Sequence, residues 1–296
     1  MRLPVRGVAL GDLEALPRRP RRVAVGTFDG VHRGHAHTIR GCDTVVTFDP
    51  HPRALLASGP DPELLTPIDA RVRLLRGLGV RDVIVLRFDA ALANLSPAAF
   101  IDELLVDRLG AIHVSVGVNF RFGRGGEGTP ELLAARREFT TASMPLLRLG
   151  GDVVSSSRIR AHVRAGAVEQ AACLLGRPHA VTACAIGGGV SRRHRIRFIP
   201  GCVVPPPGVY RVAVQAGGGS EPQAATVEIL SAPARETHGE AVLDHGRVRH
   251  MALGRPTLVR FLEFERLGMW LGRGDTQLRR GPGMPETAVV QSRQAS

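Results

Sequence analysis

The first half of the chain alternates between short apolar runs and longer stretches with helical periodicity. Apolar runs at 23–25, 44–48, 83–86 and 112–116 predict buried strands, and the segments 68–78, 97–109 and 129–138 predict helices. Ser96-Pro97 is a good helix opening, because serine caps a helix and proline fits the first turn. Strands and helices in alternation predict βαβ units and an α/β domain with a mostly parallel sheet.

The pattern changes after about residue 175. Short β-like runs at 209–214, 226–230 and 258–264 are separated by clusters of glycine and proline, which predicts a small antiparallel barrel or meander. From about residue 272 the sequence is polar and aperiodic, as is typical of disorder. We therefore predict an α/β domain over 1–180, a β domain over 181–271 and a disordered tail over 272–296.

Charge and composition exclude some function classes. The 296 residues carry a formal net charge of +12, yet the chain contains no lysine. A uniform preference for arginine indicates coding bias rather than a selected binding surface, so we expect no nucleic-acid partner. The dense basic run at 192–197, R-R-H-R-I-R, is interpreted as a solvated loop, with contact to an anion as the alternative.

The cysteines and the hydropathy pattern indicate the compartment. The four cysteines lack the spacing of a zinc site, and we expect reduced, mostly buried thiols at Cys42, Cys173, Cys184 and Cys202. No stretch approaches the roughly 20 apolar residues of a membrane span, and the N-terminus lacks an apolar signal core. We expect a soluble cytoplasmic protein without membrane contact, as a monomer or weak homo-oligomer.

One segment carries the strongest chemical signal, V-G-T-F-D-G-V-H-R-G-H over 25–35. A predicted strand ends where it begins and a helix starts at its end, which gathers free backbone N–H groups and the positive end of a helix dipole. Glycines let the backbone come close to a ligand. His32 and His35, three residues apart, share one face of the first helical turn. Such a patch suits the phosphates of a nucleotide; the alternative is that the histidines only cap a helix.

Three further blocks follow in order: T-F-D-P-H-P over 47–52, G-V-N-F-R-F-G over 117–123 and S-S-S-R-I-R over 155–160. Each follows a predicted strand or precedes a predicted helix, so all can meet beyond the carboxyl ends of the strands. With these four blocks over about 20–180, the chain resembles the H-x-G-H nucleotidyltransferases, and within them the adenylyltransferase half of bacterial FAD synthetases. The resemblance implies a Rossmann-like nucleotidyltransferase domain followed by a barrel-like domain.

The resemblance also implies a reaction, the transfer of AMP from ATP to the phosphate of FMN to give FAD and pyrophosphate. The attacking phosphate is already an anion, so the site needs positioning and charge neutralisation more than a strong base. Mg²⁺ is expected to arrive with ATP, mostly ligated by phosphate oxygens, and no protein metal ligands are expected. The catalytic residues that the resemblance implies are His32, His35 and Arg160. The nucleotide-binding residues that it implies are Gly26, Thr27, Phe28, Asp29, Gly30, Gly34, Ser156 and Ser157.

The flavin-binding residues implied by the same resemblance are Asp49, His51, Phe100, Asn119 and Phe122. Structural roles stay open for several of them. Phe100 and Phe122 suit a plain core, and Asp49 suits a turn. The serines of the fourth block suit the N-cap of a helix over 158–171.

The chain departs from this family in two places. Only eight residues separate His35 from Thr44, so much of the usual helix is missing. Bacterial FAD synthetases usually continue in a riboflavin kinase module with G-R-x-x-G-F-P-T-A-N, whose threonine and asparagine serve the ATP-bound magnesium. Here R-I-R-F-I-P-G-C-V over 195–203 places Gly201 and Val203 at those positions, without side-chain oxygens for a hard cation. Although Glu228 could match the general base, we predict a module that is kinase-like in shape and inactive.

Three other functions remain open. The same phosphate chemistry could serve a different phosphorylated acceptor. A non-catalytic flavin- or nucleotide-binding paralogue is the second alternative, and the presence of His32, His35 and Arg160 argues against it. A bifunctional enzyme comes last, because the magnesium ligands of the kinase are missing.

Overall fold

The computed structural model describes residues 16–17, 19–56, 63–187, 193–216, 221–230, 239–244 and 256–265. The predicted tail over 272–296 lies outside these residues. The sheet and the barrel described below belong to one compact unit that ends at Glu265. The domain boundary at residue 180 stays a prediction.

A five-stranded parallel sheet forms the centre of the first domain, in the order β3-β2-β1-β4-β5. Its central strands are almost fully buried, as expected for a parallel sheet covered on both faces. The chain order reverses between β1 and β4, which is where ligands bind in such sheets. The α/β prediction is confirmed. The strands are β1 Arg21–Val25, β2 Thr44–Asp49, β3 Asp82–Arg87, β4 Ala111–Gly117 and β5 Thr140–Met144.

Short helices connect these strands. The described helices are α1 Arg33–Ile39, α2 Pro52–Leu56, α3 Ile68–Gly77, α4 Ala90–Ala93, α5 Pro97–Ala99, α6 Pro130–Ala134, α7 Ser156–Arg164 and α8 Val168–Leu175. A 3₁₀ turn spans Arg124–Gly126, and a small hairpin joins β6 Arg148–Leu149 to β7 Asp152–Val153. With seven residues, α1 is as short as the spacing between His35 and Thr44 predicts.

The predicted helix over 97–109 exists, with a change of geometry. Ser96 caps it, because the Ala99 N–H donates to Ser96 Oγ (3.1 Å). After α5 the chain continues as a π-helix over Phe100–Arg108. The wider turn places Phe100, Leu104 and Leu109 in the core cluster beneath the sheet.

Two predicted helices are wrong in extent. The helix over 129–138 ends at Ala134, because the chain must reach β5 and buries Phe139 on the way. The helix over 158–171 is two helices, α7 and α8. Gly166 separates them in a left-handed conformation (φ +75°), where a Cβ would lie 3.3 Å from the Tyr210 hydroxyl of the barrel. A glycine just past the C-cap commonly ends a helix in this way, and the missing Cβ leaves room for Tyr210.

The second domain is a closed six-stranded antiparallel barrel, in the order β10-β11-β12-β9-β8-β13. The predicted antiparallel barrel is confirmed, while the bounds 181–271 of a separate domain stay a prediction. Alternate side chains such as Val181, Ala183 and Ala185 point into its core. The strands are β8 His179–Gly187, β9 Arg193–Phe198, β10 Gly208–Ala216, β11 Gln223–Ile229, β12 Glu240–Asp244 and β13 Pro256–Glu265.

The basic run does not form a solvated loop; that interpretation is wrong, because residues 193–198 are strand β9. Ile196 and Phe198 point into the barrel, while Arg195 and Arg197 lie outside and pair with Glu240 of β12 at 2.5 and 3.2 Å. Apolar residues on every second position favour a strand over a loop. Carboxylates on β12 and on the next strand, β11, balance much of the basic charge of β9. Arg192 lies outside the described residues.

The cysteines are all unpaired thiols, of which Cys42 alone is fully buried. Cys184 and Cys202 are half-buried, and burial raises the pKa of Cys202 to about 12. Cys173 is exposed on α8, so the expectation of a buried thiol is wrong there. None of the described helices is both long enough and apolar enough to cross a membrane.

Candidate functional site

The loop between β1 and α1 has an unusual backbone. Phe28, Gly30 and Val31 all have positive φ angles, at +49°, +85° and +41°. Such conformations are uncommon for residues other than glycine and are kept where the surroundings fix them. The side chains of Phe28 and Val31 are buried in an apolar cluster beside the sheet. The loop is therefore a rigid, strained turn at the carboxyl edge of β1.

The glycines of this loop stand where no side chain fits. A Cβ on Gly26 would lie 3.1 Å from the Phe28 ring, and one on Gly34 would lie 3.2 Å from the His32 ring. On Gly30 it would lie 2.7 Å from Leu65. Packing alone thus explains these three glycines. Their contact with a nucleotide stays a prediction, as does that of Thr27, whose carbonyl accepts the Thr47 hydroxyl (2.9 Å).

The structure brings the two imidazoles of the motif together. His32 is the N-cap of α1, and its Nδ1 accepts the His35 N–H (3.2 Å). The rings of His32 and His35 are stacked, with centroids 3.5 Å apart and planes inclined by 16°. The Phe28 ring meets His35 edge-on at 5.2 Å. His32 can therefore cap α1 and lie against His35 at the same time, and contact of either ring with a nucleotide stays a prediction.

Both imidazoles are neutral. Burial, followed by the charges of Arg177 and Arg160, lowers the pKa of His32 to about 3. Burial, His32, Arg71 and Arg177 hold the pKa of His35 well below its usual range. The Nδ1 atom of His35 is buried and has no hydrogen-bond partner among the described residues. An anion at this position would reverse the electrostatic balance and favour the protonated rings.

Asp29 is the centre of a buried polar network. Its side chain is 1% exposed and accepts the N–H groups of Leu65 and Thr66 (both 3.0 Å) and Nη1 of Arg160 (2.8 Å). Arg71 lies 3.9 Å away. Asp29 therefore contacts the chain itself and shapes the site. Direct contact with a nucleotide stays a prediction for this residue.

Three guanidinium groups surround the motif loop, and sequence reasoning identified only Arg160. Arg71 is buried and donates to Phe48 O (3.2 Å), Thr66 O (3.4 Å) and Thr47 Oγ1 (3.4 Å). Arg177 donates to the carbonyls of Gly30 (2.5 Å) and Val31 (3.0 Å).

Arg177 differs from the other two guanidinium groups in having no acidic partner among the residues described. Burial lowers its pKa to about 10. Among the described residues, Asp29 is the carboxylate within 4 Å of Arg71 and Arg160, while Asp49 and Glu63 act on these two groups at longer range. With Arg177 left without an acidic partner there, the site is suited to an anion. The contacts of Arg71 and Arg177 link residues distant in sequence, and no local pattern indicates them.

Each of the three serines of the fourth block makes a different hydrogen bond. Ser155 is the N-cap of α7, because its Oγ accepts the Arg158 N–H (3.2 Å). Ser156 Oγ donates to the Asp29 carbonyl (2.8 Å), and Ser157 Oγ accepts Nη2 of Arg160 at 3.5 Å. The block thus joins the start of α7 to the motif loop. Phosphate binding by Ser156 and Ser157 stays a prediction.

The loop after β2 lies within electrostatic range of the same network. Burial is the main cause that lowers the pKa of His51 to about 4, with Arg71 and Arg160 contributing and Asp29 opposing. His51 Nδ1 accepts the Arg53 N–H (3.1 Å). Asp49 is half-buried at the end of β2. Flavin binding by Asp49 and His51 stays a prediction.

The loop after β4 combines an exposed amide with buried rings. Asn119 is exposed, whereas Phe100 and Phe122 are buried in the core with centroids 5.0 Å apart. A Cβ on Gly128 would lie 2.6 Å from the Phe122 ring, so that ring is firmly packed. The partly exposed Phe120, which the sequence analysis did not single out, stacks on Phe122 at 5.6 Å. Flavin contact by Phe100, Phe122 and Asn119 stays a prediction.

Comparison with known sequences identifies one family. The model of the FAD synthetase family matches residues 16–158. A bifunctional riboflavin kinase/FMN adenylyltransferase of Listeria monocytogenes is 34% identical over 215 residues, 66% of this chain and 68% of that protein. Its counterpart in Bacillus subtilis is 32% identical over 219 residues, with the same shares. A protein of Listeria monocytogenes named FAD synthetase is 31% identical over 211 residues, 66% of this chain and 83% of that protein.

Comparison with solved structures supports the architecture. The crystal structure of a protein described as a macrolide-efflux protein from Streptococcus pneumoniae superimposes with a TM-score of 0.74. The match covers 86% of this chain and 89% of that one, at 21% sequence identity. This likeness concerns the fold alone.

Proposed function

This chain belongs to the FAD synthetase family, and from that premise we propose that it transfers the adenylyl group of ATP to the phosphate of FMN. One observation carries the proposal. At the switch point of the sheet, two stacked neutral imidazoles lie among buried guanidinium groups, and one of these groups, that of Arg177, has no acidic partner among the described residues. A nucleotidyltransferase needs such a positive, pre-formed site for a polyphosphate.

The reaction is a displacement at the α-phosphorus of ATP. A phosphate oxygen of FMN forms a bond to that phosphorus, and the bond to the oxygen bridging the α- and β-phosphates breaks. The products are FAD and pyrophosphate, and the bonding electron pair leaves with pyrophosphate. Negative charge accumulates on the leaving group, so the chain contributes most by neutralising that charge and by aligning the two phosphates.

His32 and His35 face this charge in our proposal, with hydrogen bonds to the phosphate oxygens. Arg160 contacts the leaving pyrophosphate through the N–H groups that Asp29 does not engage. Arg177 adds positive charge beside His32 and fixes the carbonyls of Gly30 and Val31. The strained loop is thereby held ready before the ligand arrives, which avoids reorganisation during the reaction.

Magnesium enters in this proposal as part of the substrate, Mg-ATP. Among the described residues no group of three His, Cys, Asp or Glu side chains could hold a metal ion, and the Asp29 carboxylate is already engaged by the chain. The phosphate oxygens of ATP supply hard ligands for the ion. Magnesium neutralises phosphate charge there, while the protein orients the triphosphate.

The proposed flavin site uses the loops after β2 and β4. His51 and Asp49 lie on one loop, and Asn119 with the Phe120–Phe122 pair lies on the other. Phe120 is the ring with an accessible face, and we assign it the contact with an aromatic ligand, with Phe100 and Phe122 supporting it from below. Cytoplasmic location and a monomeric or weakly associated state remain part of this proposal.

Proton uptake on nucleotide binding tests the electrostatics of the site. A phosphate close to His32 raises the pKa of this group by about one to three units from its value of about 3. The complex therefore holds more protons than the free protein between about pH 4 and 6, so affinity gains as pH falls through this range. Calorimetry with Mg-ATP at pH 4.5, in two buffers of different ionisation enthalpy, should give an uptake of several tenths of a proton. His32→Ala should remove the share of the uptake that belongs to His32, and equal uptake in both proteins would contradict this assignment.

We extend the proposal to the barrel, which we infer has lost riboflavin kinase activity. Val203 is 1% exposed and Gly201 has no side chain, so neither position offers an oxygen to magnesium. Glu228, the candidate base, is exposed on the outer face of β11, 3.6 Å from Arg193. A base without a metal-binding partner cannot assemble the kinase reaction.

One set of incubations tests both parts of the proposal. Purified protein with Mg-ATP receives FMN, riboflavin or no acceptor, and flavin products and pyrophosphate are measured. We expect FAD and equimolar pyrophosphate from FMN, and neither FMN nor FAD from riboflavin. FMN formed from riboflavin would overturn the loss of the kinase. Pyrophosphate release only with a different phosphorylated acceptor would overturn FMN as the substrate.

A further inference from the structure

A short backbone contact joins the barrel to the first domain. Leu64 lies beside Cys202 in a parallel bridge. The Leu64 N–H donates to the Gly201 carbonyl (2.8 Å), and the Val203 N–H donates to the Leu64 carbonyl (2.9 Å). Residues 201–203, called here the 201–203 loop, therefore fix both backbone polar groups of Leu64.

The two residues that follow Leu64 hold the motif loop. The N–H groups of Leu65 and Thr66 donate to the Asp29 carboxylate, and the Gly30 N–H donates to Thr66 Oγ1 (3.1 Å). Since these donors directly follow Leu64 along the chain, their positions depend on where Leu64 is fixed. Backbone hydrogen bonds thus join the barrel to Leu64, and bonds to the Asp29 carboxylate and the Thr66 hydroxyl join the next two residues to the motif loop.

Apolar packing follows the same route. Val203 is buried in a cluster with Leu65 and with Ile159 and Val163 of α7. The next residue, Val204, is buried instead in the core of the barrel. The 201–203 loop is therefore anchored in the domain that carries the motif. Val203 belongs to the core of that domain, and Val204 belongs to the core of the barrel.

We propose that the 201–203 loop positions the nucleotide site, acting through Leu64, Leu65 and Thr66 on Asp29. In the kinase modules that this barrel resembles, the same positions serve magnesium. Here they stabilise the neighbouring domain, so the barrel has a role in adenylyl transfer although it performs no chemistry of its own. This inference rests on the proposed function; the residues involved touch no substrate and act by positioning.

A pair of glycine variants tests the proposal. Gly201 and Gly79 have nearly the same left-handed φ, +92° and +85°, and a Cβ would meet no atom within 4 Å at either position. Gly201→Ala and Gly79→Ala therefore introduce the same backbone strain with no clash. Gly79 lies between α3 and β3, at the edge of the sheet opposite the motif loop. Similar losses of Tm are expected for both variants.

The two variants should differ in the site. For Gly201→Ala we expect faster hydrogen–deuterium exchange in peptides covering 63–67 and a Kd for Mg-ATP about 3- to 30-fold higher. For Gly79→Ala both quantities should remain those of the wild type. Unchanged exchange and unchanged Kd in Gly201→Ala, or equal changes in the two variants, would overturn the proposal. The exchange measurement is independent of activity, so a wild type that makes no FAD would refute the proposed function and leave this test intact.

A second pair covers the case in which Gly201→Ala does not fold. Val203→Ala removes methyl groups from the cluster around α7, and Val204→Ala removes the same groups from the barrel core. Both are expected to lower Tm, because each leaves a cavity. Only Val203→Ala should speed exchange at 63–67 and weaken Mg-ATP binding. Equal weakening by the two variants would mean that the barrel contributes general stability alone.

Discussion

Replacing His32 and His35 together by alanine is expected to lower the turnover of FMN adenylylation by about 100- to 1000-fold. The stacked imidazoles are the groups proposed to face the charge that develops on the phosphates, and removing such groups typically costs this much. The fold should survive with lower stability, because the variant loses the bond from the His35 N–H to His32 Nδ1, worth about 1 kcal/mol, and the packing of the two rings against each other and Phe28. Steady-state formation of FAD measures the effect.

His37→Ala provides the matched control for this variant. His37 lies on the same helix, two residues beyond His35 and about 200° around its axis. We expect nearly wild-type turnover from it. A double variant that folds, binds Mg-ATP and retains wild-type turnover would show that the imidazole pair does not take part in the reaction.

Asp29→Asn is expected to be the most destabilising single substitution in the motif. The change places an amide where Leu65 N, Thr66 N and Arg160 all donate, and it leaves buried guanidinium groups without their counter-charge. Breaking a buried ion pair on one side typically costs about 3–5 kcal/mol of the free energy of unfolding. We also expect FAD synthesis to fall more than about tenfold, because Arg160 loses the group that orients it. Urea denaturation and steady-state kinetics measure the two effects.

The control for this substitution is Asp102→Asn. Asp102 also pairs with an arginine, Arg136 at 2.5 Å, but its side chain is half exposed and it lies on the π-helix away from the motif. Exposed pairs contribute little, so stability and activity should change only slightly. If Asp29→Asn and Asp102→Asn had equally small effects, the buried network would not be what holds the loop.

Four of the five strands of the sheet and the motif positions could be predicted from sequence because their signals are local, whereas β5 was not predicted. Consecutive apolar residues mark β1, β2, β3 and β4, and the structure changes their ends by two residues at most. Ser96 and Pro97 mark a helix start that the Ala99 hydrogen bond confirms. A pattern of apolar and polar residues like this involves only neighbouring residues, so it predicts an element without knowledge of the tertiary fold.

One misjudged element had a local signal and one depends on a distant residue. Gly166 ends α7 in a left-handed conformation, which is a common glycine stop that the predicted helix over 158–171 overlooked. Residues 193–197 of the basic run lie in strand β9, whose alternation was visible, yet the density of arginines suggested a loop. Its neutralising partner, Glu240, lies more than 40 residues further along.

The same limit applies to the candidate site. The sequence indicated His32, His35 and Arg160, and the structure brings them to one loop. The sequence could not indicate that Asp29 contacts Leu65 and Thr66, because these residues lie 36 and 37 positions away along the chain. Arg177 was also missed, since its bonds to Gly30 and Val31 span about 146 residues and involve only backbone carbonyls. Supporting contacts of this kind carry no sequence motif.

Adenylyl transfer to FMN is the central claim, and ATP labelled at the α-phosphorus tests it most directly. The wild-type protein, incubated with labelled ATP, Mg²⁺ and FMN, should place the label in FAD, with one pyrophosphate released for each FAD formed. The His32→Ala, His35→Ala double variant should transfer label at least about 100-fold more slowly. A folded wild-type protein that binds Mg-ATP and leaves FMN unlabelled would contradict the account.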